Sequence, residues 1–284
     1  MTTAQDFVTS IKPTFCPGCG NFGIMEALKM ALAEMTLKPH DICLSFDIGC
    51  NSNMADFVKC YGFHGLHGRS TPAAAAMKLA NHKLKVIALT GDGGYYGEGG
   101  AHFLTLMRGN HDITVLSHNN ERYSLTTGQF SPTTPKGTKT ISTPEGSIEE
   151  PINSLAVALV NHAGFVARGF SGDVLQLKEL IIKAVNHSGY SLLEVLQPCV
   201  IWNKEKSYDY FRNRIYKLGS DYLADDRKKA LDIVQNTEKL ATGIIFEEHK
   251  KAYHEQVSTL SDDIPLVNKK INTINIASLL EEFV

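Results

Sequence analysis

No apolar run in the chain approaches the roughly 18 residues needed to cross a bilayer. The longest stretches, such as Leu155 to Val160, suit a buried helix. The opening MTTAQDFVTSIKPTFC has neither a basic n-region nor an apolar core, so no secretory leader is expected and the expected location is cytoplasmic. Positive charge is not in excess: 28 Lys and Arg stand against 30 Asp and Glu, a formal net charge of -2. That balance builds no basic face, and neither nucleic acid nor membrane is expected as a partner. Glycine, at 23 residues, has no three-residue period, which excludes a collagen-like chain. One common phosphate-binding pattern, G-x-x-x-x-G-K-[ST], occurs nowhere, and in the glycine-rich segment after Thr90 G-x-G-x-x-G fails at Tyr96 counted from Gly91 and at His102 counted from Gly97. Repeats and low-complexity tracts are lacking too.

What is present is core material. Of 284 residues 43% are hydrophobic and 20% charged, enough for one large domain, or for a smaller one with an extension, and too apolar for a disordered chain. Helix and strand signals alternate. Asn21 to Met35 carries Ile24, Leu28, Ala31, Leu32 and Met35 on one face and predicts a helix. Ile42 to Phe46 predicts a short strand. Ser70-Thr71-Pro72 before AAAAMKLAN predicts a helix start with a capping hydroxyl and a first-turn proline. Lys85 to Thr90 predicts a buried strand, followed by a glycine-rich loop and a helix to about Arg108; Ile113 to Ser117 predicts the next strand. Residues 124–150, rich in Thr, Ser, Pro and Gly, predict a long loop of the kind that is often functional. Further helices are predicted over 152–162 and 174–187, with strands over Phe165 to Ala167 and Ser191 to Leu196. This alternation predicts an α/β fold, a doubly wound, mostly parallel sheet covered on both faces. Near residue 200 the composition shifts: residues 201–284 hold 27 of the 58 charged residues. The reading is a domain over 1–204 and a C-terminal extension over 205–284 that wraps the domain or a partner.

The densest chemistry lies in KVIALTGDGGYYGEGG and DITVLSHNNERY. The 25 residues between Gly93 and Asn119 accommodate one crossover helix and the next strand. Gly91-Asp92-Gly93 and Asn119-Asn120 then fall at the carboxyl ends of two strands, where open α/β sheets bind ligands. Asp92 and the side-chain oxygen of Asn120 are hard donors suited to Mg²⁺, which completes its shell with waters and phosphate oxygens. The helix start after the glycines offers free N–H groups to a diphosphate.

Six cysteines in a chain of this kind read as thiols or metal ligands rather than a disulfide framework. Cys16-Pro17-Gly18-Cys19 places two thiols in one tight turn, and Cys43, Cys50, Cys60 and Cys199 are scattered. On spacing alone zinc, a [4Fe–4S] cluster and a redox dithiol stay level. Cys43 reads as core and Cys60 as structural. His64 and His67 read as a metal pair or as hydrogen-bonding loop histidines. His82, His111, His162 and His187 read as solvated.

The order GDG, spacer, NN resembles the thiamine diphosphate signature. FCPGCGNFGI, IGC, YGFHGLHGR, NNERYSLTTGQFSPTT, STPEGSIEEPIN, FVAR and QPC extend the likeness. Together they resemble the β subunit of a 2-oxoacid:ferredoxin oxidoreductase, in wording closest to the 2-oxoglutarate branch, over roughly residues 12–204; the tail matches weakly. The resemblance implies a thiamine diphosphate-binding fold and a [4Fe–4S] cluster on Cys16, Cys19, Cys50 and Cys199. It implies Mg²⁺ on Asp92, Asn120 and the Arg122 carbonyl, with Gly91, Gly93 and Gly94 cradling the diphosphate. Gly49, His67, Gly68, Arg69, Tyr123 and Leu125 would complete the cofactor site. His67, Arg69, Leu125 and Asn53 would face the substrate.

The implied activity is coenzyme A-dependent oxidative decarboxylation of a 2-oxoacid, of the 2-oxoglutarate or pyruvate type. Electrons would pass singly through the cluster to ferredoxin. The implied partner is an α subunit that supplies the glutamate activating the aminopyrimidine and the coenzyme A site. Two residues depart from the family pattern. Members continue GDGD, whereas position 94 is Gly. The 2-oxoglutarate branch carries a basic residue where this chain has Asn53, which can only hydrogen-bond a distal carboxylate. Two rival readings stand beside this one. The first is a non-oxidative thiamine diphosphate decarboxylase or carboligase half. The second is an iron–sulfur or zinc electron-transfer or interaction subunit without catalysis.

Overall fold

A computed structural model describes residues 2–270 and 276–283. Its centre is an eight-stranded sheet. The strands are β1 (Ile42–Phe46), β2 (Tyr61–His64), β3 (Lys85–Gly91), β4 (Thr114–Asn119), β5 (Phe165–Phe170), β6 (Ser191–Leu196), β7 (Ile215–Lys217) and β8 (Leu240–Glu247). Their order across the sheet is β2-β1-β3-β4-β6-β5-β8-β7. Every neighbouring pair is parallel except β5 and β8.

Strand side chains alternate between two faces, and here both faces are buried. Leu44, Phe46, Ile87, Leu89, Leu193 and Val195 join one core with helices α1 (Asn21–Glu34) and, further along the chain, α5 (Val174–Asn186). The residues between them, Cys43, Val86, Ala88, Val115 and Leu192, join the other. That second core is roofed by α2 (Ser70–Ala80), α3 (Gly100–Gly109), α4 (Ser154–Val160) and α7 (Arg227–Gln235); the short α6 (Tyr208–Arg214) closes the carboxyl edge through Phe211.

The expected α1 and β1, β3 and β6 lie where the sequence places them, within a residue or two. The predicted hydroxyl cap does not form. Arg69 holds the N-cap position of α2, no side chain caps it, and Ser70 already belongs to the first turn. The segment after Gly-Asp-Gly is also not plain helix: Gly93–Glu98 forms a wider π-type turn closed by Gly99 N–H donating to the Gly94 carbonyl at 2.8 Å. Such turns recur where function displaces a helix from its regular path. His187, expected in solvent, is buried, with its Nδ1 3.5 Å from Glu247 Oε1. Burial lowers its pKa below the ordinary histidine value, and Glu247 opposes the shift. Among the described residues no helix is long and apolar enough to cross a membrane.

Residues 205–284 contribute structure to the sheet itself. β8 pairs with β5, β7 with β8, and Ala230, Val234, Ile245 and Phe246 enter the second core. A chain ended at residue 204 would bare the whole hydrogen-bonding edge of β5. The expected outcome is a lower melting temperature and aggregates in gel filtration; a monodisperse, equally stable fragment would show that the domain closes without its extension.

Candidate active site

The chain runs from β1 outward to β2, then returns to the other side of β1 as β3. The loops leaving β1 and β3 therefore diverge, and a crevice opens at their carboxyl ends, the usual ligand position in open α/β sheets. The crevice is lined by Gly49, His67, Gly91, Asp92, Gly93, Gly94, Asn120, Arg122, Tyr123 and Leu125, together with Cys50. Ten of the residues expected to bind cofactor are thus on one wall. Gly68 stands just behind, and its φ of +72° with Glu98 backbone 2.6 Å from any added Cβ leaves room only for glycine. Arg69 does not join them. Its guanidinium is exposed and donates to the carbonyls of Glu98, at 2.8 Å, and Gly68, at 3.1 Å.

Asp92 is fully enclosed. Its Oδ2 accepts hydrogen bonds from Ser131 Oγ at 2.5 Å and Thr133 Oγ1 at 2.7 Å, both from the long loop. Among the described residues it forms no ion pair, and burial pushes its pKa up to about 6. A carboxylate enclosed in this way without an ion-pair partner fits a bound divalent ion. Asn51 Nδ2, also at the crevice, is buried without a partner and suits an anionic oxygen. Asn120 Oδ1 accepts from Arg122 N–H at 3.1 Å, folding the turn that brings Arg122 to the same wall. His118 is buried with Nδ1 2.9 Å from Asn21 Oδ1, and desolvation lowers its pKa to about 3, so it stays neutral.

A second cavity, of about 280 Å³, lies next to the first. Cys16, Cys19, Cys50 and Cys199 all line it, with Asn53 and Trp202. Three segments far apart in sequence, the Cys16–Cys19 turn, Cys50 and Cys199, therefore bring four thiols together. Burial raises the Cys19 pKa to about 11 and the Cys50 pKa to about 12, with the other thiols of the group adding to each shift. A tetrahedral zinc with Zn–S near 2.3 Å draws its sulfurs to roughly 3.8 Å of one another. Among the described residues the one His/Cys/Asp/Glu group whose ligand atoms all lie within 4.8 Å is His187, Glu247 and His249, and it includes no cysteine. The thiols surround a wider space than one ion needs, which fits a cluster. Cys43 is elsewhere, its Sγ 3.2 Å from Met77 Sδ, and Cys60 packs against the first core.

Cys50, Asn120, Ser124, Leu125 and Gln197 line both cavities. Gln197 bridges them: its Oε1 accepts from Asn120 Nδ2 at 3.1 Å and its Nε2 donates to Cys19 Sγ at 3.5 Å. Ser124 Oγ lies 3.3 Å from Asn120 Oδ1 and 3.4 Å from Cys199 Sγ. Neither residue stood out in the sequence, although Gln197 belongs to the QPC that carried the likeness. Asn53 lines the thiol cavity rather than the crevice.

Comparison with known proteins bears on this geometry directly. A family model described as "Thiamine pyrophosphate enzyme, C-terminal TPP binding domain" matches residues 47–195. A second, for the C-terminal part of the pyruvate ferredoxin oxidoreductase β chain, matches residues 199–262. The chain is 39% identical over 260 residues to the 2-oxoacid:ferredoxin oxidoreductase 1, subunit beta, of Aeropyrum pernix, covering 87% of this chain and 82% of that one. The chain belongs to the 2-oxoacid:ferredoxin oxidoreductase β subunits. This β subunit is also 38% identical to the 2-oxoglutarate oxidoreductase subunit KorB of Mycobacterium tuberculosis, over 73% of this chain and 56% of that one. A solved 2-oxoglutarate:ferredoxin oxidoreductase from Magnetococcus marinus, with 2-oxoglutarate, coenzyme A and succinyl-CoA bound, superposes with a TM-score of 0.91 at 28% identity, covering 99% of this chain and 95% of that one. The crevice at the strand ends thus belongs to a thiamine diphosphate-binding domain, and the β subunit is part of an oxidoreductase.

His67 gives the site a pH signature. Its Nδ1 lies 3.2 Å from Asp47 Oδ1 and its Nε2 3.4 Å from Glu98 Oε2. The hydrogen bond to Asp47 raises its pKa above 6.5; burial opposes this, and the charges of Asp47 and Glu98 reinforce it. A pKa raised by folding adds stability that is complete below about 6.5 and fades as pH rises through the folded value. Urea unfolding at about pH 6 and about pH 8 should show this loss, and His67→Gln should flatten it.

Proposed function

We propose that this β subunit, with an α partner, carries out coenzyme A-dependent oxidative decarboxylation of a 2-oxoacid, with 2-oxoglutarate as the main substrate. Thiamine diphosphate with Mg²⁺ would occupy the crevice, a [4Fe–4S] cluster the thiol cavity, and ferredoxin would accept the electrons. The observation that carries this reading is the shared wall between the two cavities. A non-oxidative thiamine enzyme has no use for four converging thiols, and an electron-transfer subunit without catalysis has no use for Asp92 and its glycines.

When bound, thiamine diphosphate supplies the carbanion chemistry that opens the substrate next to its keto group. The chain's own residues hold and insulate. Asp92 would bind the cation through its carboxylate, kept in orientation by Ser131 and Thr133. Asn120 and the Arg122 carbonyl would complete its protein ligands. Gly91, Gly93 and Gly94 would let backbone N–H groups reach the diphosphate. Gln197 N–H and Ser124 O–H would donate to cluster thiolates, a contact that raises reduction potential by stabilising the reduced form. Leu125, half exposed at the mouth of both cavities, would meet the substrate. His67 would set the charge at the crevice. Arg69 would serve the site by locking the turn that carries His67.

Support for 2-oxoglutarate comes from the named relatives; Asn53, which lines the thiol cavity, supplies no charge for a distal carboxylate and counts against it. The α partner would cover the sheet edge at β2, where Tyr61, Phe63 and Leu66 expose apolar surface beside the crevice. A reducing cytoplasmic setting suits six free thiols.

Anaerobically purified complex should contain about four iron and four sulfide per β chain. Both should be lost in Cys199→Ala, and 2-oxoglutarate with coenzyme A should bleach the cluster faster than pyruvate does. Zinc in place of iron, or a cluster that no 2-oxoacid reduces, would sink the proposal. A second outcome follows from Asp92. Its carboxylate ionises only as pH rises through about 6, so a proton competes with Mg²⁺ below that value. Thermal stabilisation by Mg²⁺ and thiamine diphosphate should be markedly larger at about pH 7.5 than at about pH 5.

A further inference from the structure

The Gly94 departure has a physical counterpart on the neighbouring strand end. A Cβ added at residue 94 would lie 1.7 Å from Asp47 Oδ2 and 2.7 Å from its Cγ. No side chain fits at position 94 while Asp47 keeps its place. Asp47 is fully buried at the carboxyl end of β1, directly beside β3. Its Oδ1 accepts from Gly68 N–H at 2.6 Å and faces His67 Nδ1 at 3.2 Å; its Oδ2 accepts from Thr90 Oγ1 at 2.7 Å. One carboxylate therefore ties the His67-Gly68 turn to the end of β3. Two would collide and repel in a site closed to water. With none, the buried Gly68 N–H would lose its acceptor.

We propose that positions 47 and 94 form one coupled unit. Asp47 takes the space a residue 94 side chain would fill, and acts as the positioning residue for the His67-Gly68 turn at the crevice. What the turn faces rests on the thiamine diphosphate reading; the coupling itself does not.

The test compares Asp47→Gly, Gly94→Asp, the double variant Asp47→Gly/Gly94→Asp, and Asp47→Asn, each in the α–β complex. Melting temperature without cofactor and thiamine diphosphate affinity in the presence of Mg²⁺ are the two readouts. Each of the first two variants should melt several degrees lower, and the double variant should recover most of that loss. Asp47→Asn keeps the shape and loses the charge, so it should stay within about 2 °C of the parent while binding thiamine diphosphate about tenfold more weakly. A double variant no better than the worse single variant would overturn the coupling and leave Gly94 serving backbone approach alone. Unchanged affinity in Asp47→Asn would overturn the positioning role. A parent complex that binds no thiamine diphosphate would count against the proposed function, while the melting data would still decide the coupling.

Discussion

Parallel pairing of β1, β3, β4 and β6 is the constraint on which the rest depends. Parallel strands in register end on the same edge, so the residues that follow each strand are delivered side by side. Asp47 to Cys50 leave β1, Gly91 to Gly94 leave β3, Asn120 to Ser124 leave β4, and Gln197 to Cys199 leave β6. The core on both faces holds the strands in that register, because a slip of one residue would exchange the two buried faces. The site is therefore a by-product of how the apolar residues pack.

The second demand is on polar groups that this packing removes from water. Burial is costly unless each is satisfied. Asp92 is met by two loop hydroxyls, Asp47 by a backbone N–H, a hydroxyl and a histidine, and Asn120 by Gln197. The loop beyond β4, expected from its length to be functional, enters through Ser131 and Thr133, which make it part of the Asp92 environment. Arg168 and Glu194 form a buried pair nearby at 3.1 Å, and Glu194 also accepts from Ser154 and Asn119. The first Asn of the pair thus braces the scaffold, while the second turns to the crevice. At the crevice itself Asn51 Nδ2 has no partner and Asp92 forms no ion pair, which suits the ligand proposed there.

The two cavities differ in what holds them. Glycines and backbone shape the crevice, whereas the thiol cavity is assembled from cysteines of three distant segments, two of them in one turn before α1. Ser124 and Gln197 join them through single hydrogen bonds. A change in one cavity can therefore reach the other over very few hydrogen bonds.

By itself the sequence determined the periodic elements, the parallel α/β class, Asp92 and the glycines at a strand end, and the four cysteines through their motifs. These are local properties: spacing of apolar side chains, and short runs whose residues act together within one turn. Only the tertiary structure decided that Asn53 borders the thiols, that Arg69 braces a turn rather than the crevice, and that the charged tail extends the sheet through β8. It also supplied the roles of Asp47, Gln197, Ser131 and Thr133; the last three lie within quoted motifs, QPC and NNERYSLTTGQFSPTT, but the motifs name no partner for them. Their roles arise from strand neighbours and a returning loop, separated by tens of residues. Gly94 shows the difference most clearly. In sequence it is a missing carboxylate; in space the carboxylate of Asp47 already fills the position, because β1 and β3 end side by side.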